Sequence, residues 1–338
     1  MAAKPEFTLP KDAIDRLTRY RSLLQADWPV FLEALARPLP VAAWRNPLRI
    51  GGEAFERWFR EMEPRVVLEP LRWFNRGYRL WVEPPGSRTP DPRPGNRLAR
   101  ALGFMHLQEE VSMLPPVLLA PRPGERILDL CGAPGNKAAL AASLMQDSGT
   151  IIYNDTDRTR LRAGRPAFER LGFASIAATR HDGGSFPGPT EQYDGVLVDA
   201  PCSGEGTARR SLSALRPGPP GYYRMLHERQ RRLLTRALQL CRPGGRVVYS
   251  TCTYAPEENE QVVADVLETL PEAAVRLVPA RIAGLEGSPG LTEWDGHSLS
   301  DELAGTLRVW PHQNDSGGFF VALLEKGTGR STRKAGDE

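Results

Sequence analysis

Cysteine is scarce in this chain, and so is lysine. Four cysteines in 338 residues (Cys131, Cys202, Cys241 and Cys252) are too few and too scattered for a disulfide framework, and no C-x-x-C spacing suggests zinc. They read as reduced thiols of a cytoplasmic protein that holds no metal. No apolar run approaches the ~18 residues that a membrane span needs, and Met1 to Lys11 lacks the apolar core of a secretory signal. Membrane and export readings therefore fall away. A surplus of charge is missing too: Lys+Arg 44 against Asp+Glu 41 leaves +3, so global charge does not by itself announce a nucleic-acid partner. Five of those 44 basic residues are lysines, and between Lys11 and Lys326 every basic position is arginine except Lys137.

At roughly 150 residues per domain, the length suggests one large domain and one smaller one. Apolar residues at helical spacing (Ile14, Leu17, Leu23, Leu24, Trp28, Phe31, Leu32, Leu35) predict one or two helices over Lys11–Arg37. Phe55, Trp58, Phe59 and Met62 predict another before Pro64, with Trp58 in the core. Ser87–Asn96, rich in Pro, Gly, Arg and Asp, is the best place for a domain boundary. Beyond it, strand-like runs at Arg126–Leu130, Thr150–Tyr153, Ser175–Ala178, Gly195–Val198 and Arg246–Ser250 alternate with helical patterns. The helices are expected at Ala138–Met145, Arg158–Leu171, Tyr222–Cys241 and Glu257–Leu270. Such alternation predicts a parallel sheet covered by helices on both faces. Phe319–Leu324 predicts a last strand, and Gly327–Glu338 a disordered tail.

The run from Ile127 to Lys137 is an apolar strand ending in Asp129, a tight loop, and a helix start. In a doubly wound sheet the ligand crevice lies at the carboxyl ends of the strands, where a helix N-terminus offers free N–H groups. The loop (Cys131, Gly132, Ala133, Pro134, Gly135, Asn136, Lys137) lacks a third glycine, which weakens a pyrophosphate site and with it a nicotinamide dehydrogenase. Asp155, after the second strand, is placed to accept from ribose hydroxyls, and Asp182, after the third, to meet an adenine amine. Each acid alone reads equally well as a helix cap. Together they describe a nucleoside with a small charged tail, as in S-adenosylmethionine.

The fourth strand runs through Asp199 into Pro201 and Cys202, the fifth through Thr251 into Cys252, so both thiols should open on that crevice. An isolated cysteine is usually just a buried residue, which suits Cys241 at the end of its helix. Two thiols on neighbouring strand ends point to chemistry. Carbon 5 of cytosine becomes a nucleophile once a thiolate adds to carbon 6, and a second thiol or a base can assist departure of the enzyme. Asp199 could hold the ring nitrogen and exocyclic amine.

Asp129-Leu-Cys-Gly-Ala-Pro-Gly-Asn-Lys137, Asp199-Ala-Pro-Cys-Ser-Gly204 and Tyr249-Ser-Thr-Cys-Thr253 resemble the signature motifs of the RNA cytosine-5 methyltransferases, the Sun-domain or RsmB/RsmF-like family. Gln108-Glu109 with Ser112-Met113, Pro243-Gly-Gly245 and Gly317-Gly-Phe-Phe320 match as well, over about residues 97 to 326. Arg45-Asn46-Pro47-Leu48 is similar to an element of the family's N-terminal module. The resemblance implies a Rossmann-like class I S-adenosylmethionine-dependent methyltransferase sheet over residues 96–326. A small α+β RNA-binding module over 1–95 would precede it, and a disordered tail over 327–338 would follow. It implies Cys252 as nucleophile, Cys202 as the thiol that promotes release, and a cofactor set of Cys131 to Lys137 with Asp155, Asp182 and Asp199. DNA cytosine-5 enzymes use a Pro-Cys motif instead, which leaves Cys202 open as nucleophile, but the Thr-Cys motif belongs to the RNA enzymes. The implied partner is ribosomal or transfer RNA, met by a monomer.

Three departures bear on function. Asn136 stands where Gly or Ser is usual, with its side chain expected in solvent; the loop after Gly206 lacks an Arg-x-x-Pro pattern; and no further RNA-binding domain is expected after Lys326. Arginine clusters (Arg97/Arg100, Arg158/Arg160/Arg162/Arg165, Arg209/Arg210, Arg229/Arg231/Arg232/Arg236) are candidates for phosphate or for solvated faces. Trp73, Phe74, Tyr78 and Trp81, interleaved with Arg72, Arg76 and Arg79, read as a base-stacking surface or a hairpin core. Lys137 reads as a compact ammonium near the cofactor's carboxylate or the target base, where a guanidinium is too wide. A non-catalytic RNA-binding or assembly protein on the same fold is the alternative, which the joint presence of Cys252, Cys202, Asp199 and Lys137 disfavours.

Overall fold

The computed structural model describes residues 9–82, 89–216, 218–271 and 274–328. Part of the expected boundary and most of the expected tail lie outside them. Five parallel strands form the centre: Arg126–Asp129, Thr150–Asn154, Ile176–Thr179, Tyr193–Asp199 and Cys241–Thr251. Their spatial order is third, second, first, fourth, fifth, and beyond the fifth the antiparallel strand Phe319–Lys326 pairs Thr251 with Phe320. The order reverses between the first and fourth strands, which opens a crevice at their carboxyl ends.

Alternation within the strands builds both faces. Ile127, Ile151, Leu197, Val248 and Val321 pack under the helices Asn136–Leu144 and Arg158–Leu171. Leu128, Val196, Val198, Val247 and Tyr249 pack under Tyr222–Leu240 and Glu260–Glu268. The helix Arg158–Leu171 starts and stops where the sequence says. Asp157 Oδ1 accepts from the backbone N–H groups of Thr159 and Arg160 at 2.7 and 3.1 Å, and Gly172 closes it in the left-handed region at φ 79°. Cys241 departs from expectation: it opens the fifth strand through an irregular register before Arg246 rather than ending the helix.

The amino-terminal elements pack in two places. Strands Val66–Pro70, Gly77–Val82, Val41–Arg45 and Met105–Leu107 pair in that order into an antiparallel sheet, so it is completed by a strand past residue 95. The helix Gly52–Met62 covers one face of this sheet through Phe55 and Phe59. Trp44, Trp73 and Phe74 on the other side join the main core. The helices Lys11–Leu17 and Trp28–Ala36 pack elsewhere, placing Leu17, Phe31 and Leu35 against Tyr254 and Trp310 of the large unit. Trp73, Phe74 and Tyr78 are 8%, 6% and 4% exposed and belong to the core, whereas Trp81 is half-buried. Trp58 is half-buried and packs edge-on to Phe104.

Candidate active site

Parallel pairing sets Asp199 beside Ser250, and the Ser250 hydroxyl donates to Asp199 Oδ1 at 2.9 Å. From that register the two chains continue into the cysteine loops, which bring Cys202 Sγ and Cys252 Sγ to 3.4 Å. Further bonds hold the loops together. Ser203 Oγ and Thr253 Oγ1 lie 2.7 Å apart, Glu258 Oε2 accepts from Ser203 N and Gln230 Nε2, and the Gly206 N–H donates to Cys252 O. Cys202 keeps its proton: the hydrogen bond to Cys252 first, then burial, then the charges of Cys252, Glu258 and Asp199 push its pKa well up.

The lone internal lysine completes this centre. Lys137 Nζ lies 2.7 Å from Asp199 Oδ2 and 3.1 Å from Ser112 Oγ, with the Phe319 ring centroid at 5.9 Å. Burial works against its charge, but the charge and hydrogen bond of Asp199 outweigh burial and raise its pKa. Asn136 departs from expectation. Its side chain is half-buried and its Oδ1 accepts from His106 Nε2 at 3.0 Å, while His106 Nδ1 accepts from Arg170 at 3.3 Å. Burial, with Arg170 adding to it, lowers the His106 pKa to about 4.

Two cavities meet at Asp199 and Cys252. The larger, about 450 Å³, is lined by Cys131, Asn154, Asp155, Asp157, Arg160, His181, Asp182, Cys202 and Arg229 in addition to that pair. Asp155, 7% exposed, pairs with Arg160 at 3.1 Å, and Arg160 also donates to Ala133 O at 2.5 Å; Asp182 caps a short turn by accepting from Gly184 N. The smaller, about 160 Å³, is lined by Glu109, Ser112, Asn136, Lys137, Arg209, Arg210 and Phe319 beside the shared two. Thus Cys131, Asp155, Asp182 and Asp199 of the predicted cofactor set face the larger cavity, whereas Asn136 and Lys137 face the smaller. Ala133, Pro134 and Gly135 shape the loop, with Gly135 at φ 101° in front of the helix.

Asp129 was not among the predicted site residues. It is fully buried, neither carboxylate oxygen accepts a well-formed hydrogen bond among the described residues, and burial, against the pull of Lys137, raises its pKa to about 7. A side chain at Gly132 would meet its carboxyl at 2.7 Å, so the glycine keeps that approach open. The signal was present as an acid closing an apolar strand directly before the loop. Glu205 was also missed: it accepts from Tyr20 OH and Tyr223 OH at 2.5 Å and pairs with Arg16 at 3.2 Å, fastening the Cys202 loop to the first helix. Among the described residues no group of three or more His, Cys, Asp or Glu could hold a metal ion, and no helix is long and apolar enough to cross a membrane.

The profile of the family described as 16S rRNA methyltransferase RsmB/F matches residues 116–325. The chain is 36% identical over 268 residues to the tRNA (cytosine(49)-C(5))-methyltransferase of Pyrococcus abyssi, covering 78% of this chain and 82% of that protein. It is 35% identical over 300 residues to the ribosomal RNA small subunit methyltransferase F of Shewanella amazonensis, covering 88% of this chain and 60% of that relative's length. A methyltransferase homolog protein from Pyrococcus horikoshii, solved by crystallography, superimposes with a TM-score of 0.76 at 30% identity, over 94% of this chain and 100% of that one.

Proposed function

The chain belongs to the RsmB/F methyltransferase family, and from that premise we propose that it methylates carbon 5 of a cytosine in ribosomal or transfer RNA. S-adenosylmethionine would be the donor. The observation that carries this reading is the pair of thiols at 3.4 Å, with Cys252 on the wall shared by two cavities and Cys202 on that of the larger. One cavity takes the donor and the other the base.

The larger cavity suits the donor by its own donors and acceptors. Asp155 would take the ribose hydroxyls after exchanging its bond to Arg160, Asp182 would face the adenine, and the buried Asp129 lies behind the glycine loop. The bound group supplies an electrophilic methyl. The chain supplies everything else. Asp199, clamped by Lys137 and Ser250, accepts from the exocyclic amine of a flipped cytosine, and from its ring nitrogen when that nitrogen carries a proton; the Cys252 thiolate bonds to carbon 6 while the displaced electron pair moves to carbon 5.

Cys202 then changes role. The hydrogen bond and charge of Cys252, which hold the proton on Cys202, vanish once the Cys252 sulfur is a neutral thioether. Burial and the charges of Glu258 and Asp199 still favour the thiol, so Cys202 must first give its proton to solvent; as thiolate it then takes the proton from carbon 5. The pair left behind re-forms the ring double bond and expels Cys252 as thiolate. The reading also places the protein in the cytoplasm, acting as one chain on RNA.

Cys252→Ala should lose methyl transfer by at least about 1,000-fold, as removal of a covalent nucleophile does. Cys202→Ala should instead build up a protein–RNA adduct that survives denaturing gels. An inactive Cys202→Ala protein that forms no adduct would sink the division of labour between the thiols, and an active Cys252→Ala protein the choice of nucleophile.

A further inference from the structure

The smaller cavity is rimmed by charges, and nearly all of them are engaged. Glu109 accepts from Gly317 N and Ser112 N at 3.0 Å each, and Lys137 and Asp199 hold one another. Arg209, 9% exposed, is spent on the chain itself. It donates to Arg37 O, Pro38 O and Ser316 O at 3.2, 2.8 and 3.0 Å, and pairs with Asp315 at 2.7 Å. Its neighbour differs. The Arg210 guanidinium is exposed and lines the same cavity, yet it makes no hydrogen bond or ion pair among the described residues.

We propose that Arg210 binds a phosphate of the target nucleotide. This rests on the reading that the smaller cavity takes a flipped cytosine. A base swung into that cavity leaves its phosphodiester at the mouth, where an unpaired planar fork gives two charge-assisted hydrogen bonds. The position of Arg210 relative to the nucleophile is fixed by backbone. Arg210 N donates to Thr207 O at 2.8 Å, and in the same turn Gly206 N donates to Cys252 O at 2.9 Å. The turn that carries Arg210 is therefore tied through its backbone to the backbone of Cys252. Arg209 builds the wall against which this happens, so the paired arginines divide into one structural and one substrate-binding residue.

The test uses the full chain with Arg210→Gln and Arg210→Lys, steady-state methylation of RNA, and RNA binding as a function of salt in the Cys252→Ala background. Arg210→Gln should raise KM about ten-fold, more than any fall in kcat, and flatten the plot of log affinity against log salt by about 0.7 to 1. Arg210→Lys keeps the charge and should keep the slope while recovering part of KM. A salt slope in Arg210→Gln equal to that of the unaltered protein overturns the phosphate contact. If the unaltered protein itself methylates no RNA, the reading of the cavity falls and this inference with it.

Discussion

At the scale of single residues, the lone internal lysine has a physical reason. Lys137 is 9% exposed, and its ammonium sits between the Asp199 carboxylate and the Ser112 hydroxyl over the Phe319 ring. A guanidinium carries its charge farther out and spreads it over a plane, so it cannot occupy that point without moving Asp199 or the ring. Lys137→Arg should therefore keep the charge and lose rate, with kcat down on the order of 100-fold, the usual cost of displacing a group by about 1 Å. Single-turnover methylation of RNA measures it, and a rate equal to that of the unaltered protein would make the lysine incidental. Sequence alone marked this position as unusual. The choice of partner was out of reach there, because Ser112 and Asp199 come from chain segments 25 and 62 residues away.

At the scale of elements, local chemistry was legible and tertiary contact was not. Asp157 and Gly172 mark the ends of their helix within the sequence that forms it, and the β-branched runs at the strands carry their own pattern. Trp73, Phe74 and Tyr78 do not, since what buries them lies in other elements, and a stacking surface and a hairpin core share one pattern. Asn136 misled for the same reason: its partner His106 lies on the last strand of the small sheet. That contact joins the strand Met105–Leu107 to the start of the helix Asn136–Leu144 and has a pH signature. The folded-state pKa of His106, about 4, lies below its ordinary value of 6.5. Between those values the unfolded chain binds a proton that the folded one refuses, so stability is whole above pH 6.5 and falls as pH drops towards 4. A shift of that size is worth about 3 kcal/mol. Asp129 acts in the opposite sense, its folded pKa being raised to about 7, so stability from that group grows as pH falls below 7. Comparison with His106→Gln isolates the histidine. In urea unfolding the advantage of the unaltered protein should shrink from pH 7 to pH 4, and parallel pH profiles would show that His106 is not the titrating group.

At the scale of the whole molecule, the small antiparallel sheet and the large sheet share one apolar core. Trp44, Trp73 and Phe74 of the small sheet stand in one apolar cluster with Ile127, Leu197 and Val321 of the large sheet. The first helices close a second cluster against Tyr254 and Trp310. Units that bury their apolar faces in one another lose that burial together, so heat should unfold the chain in a single transition. Tryptophan placement makes this testable at a distance, since five of the seven (Trp28, Trp44, Trp58, Trp73 and Trp81) precede residue 95 and none lines the larger cavity. S-adenosylhomocysteine at roughly 100 times its Kd should stabilise the folded state by about 2.7 kcal/mol. Because the cores are shared, the fluorescence transition of those tryptophans should move upward as far as the circular-dichroism transition. A fluorescence midpoint that stays fixed while the dichroism midpoint rises would mean that the amino-terminal sheet and helices unfold on their own.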